Sequence, residues 1–418
     1  MSKYTLKRGI LVSPGRKAVT GNISVQNGKI SGAGFPLEID LRKESFVYPA
    51  LINTHDHLQG NYRPAVGPKA GEFYLTWLPW DNDLKASETF TERSKLTRAE
   101  LYSFSGYKCL FSGVTTVNDH FPQAINKDIL PTLPIRAILE YGLAHEASSY
   151  DLKWGDGIEV EHRRAVENHW PFITHLAEGF ETEAMGGVQY LKKLKVLDKH
   201  SLLIHCIGFS DEDIAEVARA GASVAWCGFS NKFMFNVTCK IRKMIKAGIN
   251  VTIGTDSSAT GTANLLAEIK YDRDLYRNMY GRDLPPKLIF EMVTINAARA
   301  FWVDKKLGSL ENGKLGDILV LKGKHSNPYE NLVSAEMEDI ELLTLAGKPL
   351  YGEMRFLDLL GGELPEGYTV ITVAGRPMFV IGDPARLYAE ARKKIGFKKV
   401  LDYLPFEPEG GTETAPRR

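Results

Sequence analysis

Val47-Tyr48-Pro49-Ala50-Leu51-Ile52-Asn53-Thr54-His55-Asp56-His57 is an apolar run that ends in two histidines one residue apart. Side chains two apart on a strand point to the same face, so His55 and His57 can reach one ion together. The pattern recurs further along. His175 and Glu178 follow Phe172-Ile173-Thr174, His205 follows Leu203-Ile204, and Asp256 follows Ile253-Gly254-Thr255. In a (β/α) barrel the strand ends converge on one rim, which brings residues distant in sequence into a single site.

The surrounding pattern fits such a barrel. Strand candidates are Phe46–Ile52, Val114–Val117, Arg136–Glu140, Phe172–Thr174, Leu202–Ile204, Ser223–Trp226 and Asn250–Ile253. They alternate with helical periodicity at 97–112, 211–220, 239–247 and 286–301. Seven or eight strands alternating with helices predict a closed parallel barrel over residues 49–310. Both ends of the chain are strand-rich instead. Asn22–Gln26 and Lys29–Ser31 flank Asn27-Gly28, a pair suited to a two-residue hairpin turn. Asp317–Leu321, Glu341–Leu345, Pro349–Tyr351 and Thr369–Val373 form the second set. Segments 1–48 and 311–383 are therefore expected to combine into a small β-sandwich, with a helix around Ala385–Lys394 and a Gly/Pro/Glu/Thr-rich tail completing 384–418.

Composition narrows the functions. The 418 residues carry 52 basic and 51 acidic side chains, a net charge of +1. That balance gives no field for nucleic acid or anionic lipid. The start of the chain lacks the apolar core of a signal peptide, and no apolar run approaches the roughly 20 residues of a membrane span. Cys109, Cys206, Cys227 and Cys239 show no paired spacing and read as reduced thiols. A cytoplasmic enzyme with a small-molecule substrate, no nucleic-acid or membrane partner and a homodimeric assembly is the expectation.

The motifs resemble those of the amidohydrolase superfamily. The stretch 47–57 resembles its strand-one motif, and His175-Leu176-Ala177-Glu178 resembles the strand-five signature of the cytosine deaminase, guanine deaminase and triazine chlorohydrolase branch. Ile204-His205-Cys206, Ser230-Asn231, Gly254-Thr255-Asp256-Ser257, Thr294–Ala300 and Leu307–Asp317 continue the resemblance, which covers about residues 20–325. It implies that His55, His57, His175 and Asp256 bind one divalent metal ion, Zn²⁺ with Fe²⁺ as the alternative, and that Glu178 shuttles a proton. His205 would orient and polarise the attacking water, or ligate the metal as in branches with two ions. Asp256 would take the water's proton. Binuclear members bridge their metals with a strand-four lysine; the stretch 143–157 offers only Lys153 and no convincing strand, which favours one ion.

The implied activity is hydrolytic deamination of an amino-substituted nitrogen heterocycle. Removal of chloride or alkylamine from a triazine-like ring, cyclic amide hydrolysis and a non-catalytic scaffold are the alternatives. Candidates for substrate contact are Gln59, Trp77, Trp80, His120 and Asn231, with His120 equally readable as an ordinary rim residue. His145, His162, His169, His200 and His325 read as solvated.

Overall fold

The computed structural model describes residues 3–406. The expected Gly/Pro/Glu/Thr-rich tail falls largely on 407–418, outside the described residues. The fold is mixed α/β with two parallel sheets. One has three strands, Leu51–Asp56, Val114–Asp119 and Arg136–Ala137; the other has five, Gly142–Glu146, Phe172–Leu176, Ser201–His205, Ser223–Trp226 and Asn250–Ile253. Runs such as Leu202-Leu203-Ile204 are apolar at every position because parallel strands are covered on both faces.

No ladder joins the first strand to the last, yet they lie side by side. Asp256 N donates to His55 O at 3.0 Å, Thr255 N to Asn53 Oδ1 at 3.1 Å, and Thr54 Oγ1 to Ile253 O at 2.9 Å. Gly254 allows that closeness. A Cβ there would stand 2.7 Å from His55 Cβ and 2.9 Å from His55 N.

Three elements differ from the sequence reading. The run Phe46–Ile52 is not one strand. Phe46–Pro49 belongs to the terminal sheet, and a new strand starts at Leu51 after Ala50 N turns to Asp317 O at 3.0 Å. The helix expected over 286–301 is two, Pro286–Met292 and Ile295–Ala300. Thr294 Oγ1 donates back to Phe290 O at 2.6 Å, and Val293 O accepts from Ile52 N instead of continuing the helix ladder. The region 143–157, read as strandless, holds the strand Gly142–Glu146. Gly142 lets it pack closely, because a Cβ there would meet Glu161 O at 2.3 Å. In compensation the strand expected over Arg136–Glu140 keeps only its first two residues.

Strands from both chain ends share one ten-stranded sheet, joined where Phe46–Pro49 pairs antiparallel with Ile318–Leu321. The hairpin at Asn27-Gly28 forms with φ of 52° and 80°. The helix Arg98–Leu110 begins at a capping box, in which Thr97 Oγ1 accepts from Glu100 N while Glu100 accepts from Thr97 N. Its last turn carries Lys108 inward. Among the described residues no helix is long and apolar enough to cross a membrane, and the four cysteines are free and buried.

Candidate metal centre and substrate cavity

The strand ends deliver four imidazoles and two carboxylates to one buried place. Donor atoms of His55, His57 and His175 lie within 4.8 Å of one another, as do those of His55, His205 and Asp256, and those of His175, Glu178 and His205. His55 Nε2 and His175 Nε2 are 3.4 Å apart, and Asp256 Oδ1 lies 3.9 Å from His55 Nε2 and 3.8 Å from His57 Nε2. Glu178 Oε1 is 3.6 Å from His205 Nε2. All six expected site residues therefore meet.

Neighbouring groups aim the rings. His57 Nδ1 donates to His120 O at 2.7 Å, which leaves its Nε2 lone pair for the cluster. His205 Nδ1 donates to Asn231 Oδ1 at 2.8 Å, with the same effect. Asp256 accepts from Ser257 N at 2.5 Å, Ser230 Oγ at 2.7 Å and Thr260 Oγ1 at 3.0 Å. His205 and Asp256 take left-handed φ of 68° and 56°, costly for residues with a Cβ and held by this web of contacts.

Burial, reinforced by the neighbouring rings, pushes His55 and His175 well below the usual histidine range, so both are neutral. Burial would raise Asp256, but His57, His205 and its hydrogen bonds hold it below the usual carboxylate value. Burial, with Asp256 nearby, raises Glu178 well above that range. Neutral imidazoles with converging lone pairs and an ionised carboxylate match the donor set preferred by Zn²⁺ or Fe²⁺. The residues fit a divalent ion. Lys153 is remote in character, an exposed side chain paired with Asp151 at 3.4 Å.

Beside the cluster lies a cavity of about 250 Å³, lined in part by Gln59, Trp77 and Trp80, as expected. His120 and Asn231 do not line it. Both are buried behind the rim, where Asn231 orients His205 and His120 Nε2 donates to Ala144 O at 2.9 Å. His145 is the main residue missed. Expected among the solvated histidines, it is instead buried on the Gly142–Glu146 strand and lines the cavity between Trp77 and Trp154, whose rings lie 4.8 and 4.5 Å from its own. Leu152 N donates to His145 Nδ1 at 3.4 Å, which assigns the proton to Nε2. Trp77 Nε1 donates to Glu146 Oε2 at 2.7 Å, fixing that wall. The available signal was His145-Glu146 at the end of a short apolar stretch, the register already seen at His175 and His205. His162 and His200 are also buried, the first 3.2 Å from Asp198 and the second stacked on Trp302 at 4.2 Å. His169 and His325 are exposed.

The chain is similar to known proteins in sequence and in fold. The sequence profile of the amidohydrolase family matches residues 162–350. A 5-methylthioadenosine/S-adenosylhomocysteine deaminase of Thermoanaerobacter pseudethanolicus is 30% identical over 359 residues, 72% of this chain and 80% of its own. An atrazine chlorohydrolase from Arthrobacter aurescens TC1, complexed with zinc, superposes with a TM-score of 0.70 at 19% identity, covering 94% of this chain and 100% of its own. A zinc-bound adenosine deaminase from Xanthomonas campestris gives 0.67 at 17% identity, over 94% and 98%.

Proposed function

Because this chain belongs to the amidohydrolase family, we propose that it is a hydrolytic deaminase of an amino-substituted nitrogen heterocycle, with an adenosine-type ring as the first substrate to test. The observation that carries this reading is Glu178, a buried carboxyl raised well above its usual range and 3.6 Å from His205 beside the histidine–aspartate cluster. A carboxyl so placed can pass a proton to or from a reacting atom.

The roles follow from the donors. His55, His57, His175 and Asp256 would hold one divalent ion, zinc being favoured by its presence in both structural neighbours. When bound, that ion supplies the Lewis acidity that brings the pKa of water toward neutrality. His205, its Nδ1 tied to Asn231, keeps Nε2 aimed at the attacking water. Asp256 accepts one proton from that water as its oxygen bonds to the ring carbon bearing the amino group. Glu178 delivers its proton to the adjacent ring nitrogen. The second water proton then passes to the amino group, the carbon–nitrogen bond breaks, and ammonia leaves as the ring carbonyl forms.

The finer architecture belongs to the same reading. Residues 49–310 form a closed (β/α)₈ barrel, supported by the contacts between its first and last strands. Segments 1–48 and 311–383 form the accessory β-sandwich, followed by the helix Pro384–Ile395. Ammonia release from a panel of adenosine-type nucleosides, aminopurines, pterins and pyrimidines tests the function. Chloride or alkylamine release from triazines without ammonia from any aminoheterocycle would replace it with the alternative reaction.

A further inference from the structure

The cavity has a charged wall that the reaction leaves unused. Two short helices, Trp77–Ala86 and Glu88–Arg93, follow the first histidine pair. Trp80, Asp81 and Leu84 from one and Arg93 from the end of the other line the same cavity as Glu178 and Asp256. Asp81 already has a partner, Lys85 Nζ at 2.5 Å. Arg93 does not. Its guanidinium carbon sits 4.8 Å above the Phe90 ring, and among the described residues no carboxylate or carbonyl pairs with it. Burial lowers its pKa against the attraction of Asp81, the mark of a cation partly withdrawn from water without a hydrogen-bonded counter-ion. Much of the remaining wall is aromatic or aliphatic, including Trp77, Phe121, Trp154 and Met234.

A guanidinium presents a planar fork of donors that matches an oxyanion, and it recovers most when the partner arrives inside a partly dry cavity. Resting on the deaminase reading, we propose that Arg93 is an oxyanion subsite: the substrate carries a carboxylate or a phosphate away from its ring amino group, and Arg93 selects for it. The cation–π contact with Phe90 restrains the guanidinium and so limits the ordering lost on binding.

The test compares matched substrates on the metal-loaded enzyme. One arm sets 5′-carboxyethylthio-5′-deoxyadenosine against 5′-methylthioadenosine, the other adenosine 5′-monophosphate against adenosine. The wild type should favour the charged member in one arm, which identifies the oxyanion. Arg93→Met, which keeps an unbranched stem over Phe90, should lower that charged-to-neutral ratio of kcat/KM by about 10–100-fold, and Arg93→Lys should restore part of it. A ratio that does not move, or an equal loss on both members, makes Arg93 a structural or solvated helix-end residue and overturns the proposal. If the wild type deaminates none of the four, the adenosine-type ring fails as substrate on its own, and the wider heterocycle panel decides the deaminase reading. Equilibrium dialysis of the same compounds then decides the subsite: an Arg93-dependent preference for the charged member supports it, and no such preference overturns it.

Discussion

Lys108 Nζ stands 2.9 Å from Asp56 Oδ2, with 1% and 0% of the two side chains exposed. The same ammonium reaches Asn61 Oδ1 at 2.7 Å, Thr255 Oγ1 at 3.3 Å and Asp256 O at 3.3 Å. Asp56 lies between His55 and His57, while Thr255 and Asp256 follow the last parallel strand, Asn250–Ile253. One buried cation thus fastens the edges that the backbone ladder leaves unjoined. Breaking a buried pair by removing one partner typically costs about 3–5 kcal/mol, because the other charge is stranded. Lys108→Met should lose stability on that scale in denaturant titration. A loss under 1 kcal/mol would show that the clasp is ornamental.

Glu178→Gln separates chemistry from binding. The amide is nearly isosteric but cannot deliver and recover a proton, so turnover should fall by about 10²–10⁴-fold while metal content is retained. Elemental analysis alongside the ammonia assay checks both halves. Normal turnover, or loss of the metal, removes Glu178 from the role of acid.

His175→Ala should lower metal occupancy and rate together, with partial recovery on added Zn²⁺. The wild type should carry about one tightly held ion per chain, since His55, His57, His175 and Asp256 supply the donors for one ion that would still take up a water. Two ions per active chain would promote His205 to ligand and undo the single-ion assignment.

Stability should depend on pH through a buried acidic pair behind the site. Glu268 and Asp272 are four residues apart on the helix Leu265–Tyr280, and neither oxygen of Asp272 has a partner. Burial, then repulsion from Glu268, raises Asp272 well above the usual carboxylate range; burial and Asp256 raise Glu268, against hydrogen bonds from Phe229 and Thr262 and the pull of Lys108. A carboxyl raised on folding binds more protons in the native state. Its contribution is complete below its unfolded pKa, about 4, and is lost as pH rises through the folded value. Asp272→Asn should therefore gain on the wild type as pH increases from 5 to 8. A stability difference constant over that range would mean Asp272 is ionised in both states.

The convergence of His55, His57, His175, His205 and Asp256 is legible because each stands at the end of an apolar run, and a parallel sheet turns that local pattern into proximity. Which of them would hold an ion comes only from the family resemblance. The cavity wall was harder to read. Gly142–Glu146 carries a glycine in close contact with Glu161 and two buried polar residues, so hydrophobicity undercounts it, and His145 is missed with it. Asn231 was noticed, but its task is to orient His205, a distinction set by a 2.8 Å contact between residues 26 apart. Arg93 has no pattern at all. It reaches the cavity because two short helices fold back over the strand ends, which no local periodicity encodes.

The pairing of Phe46–Pro49 with Ile318–Leu321 also has a consequence for synthesis of the chain. Pro49 and its partner Ile318 are 269 positions apart. At about 5–20 residues per second, the amino-terminal strands emerge from a ribosome and wait roughly 15–55 s before their partner exists. Throughout that interval Phe46–Pro49 offers an unpaired edge ending in buried-type residues. The chain must travel through most of its own translation with one half of a sheet exposed, and vulnerability to mispairing is concentrated there, well before any metal could be held.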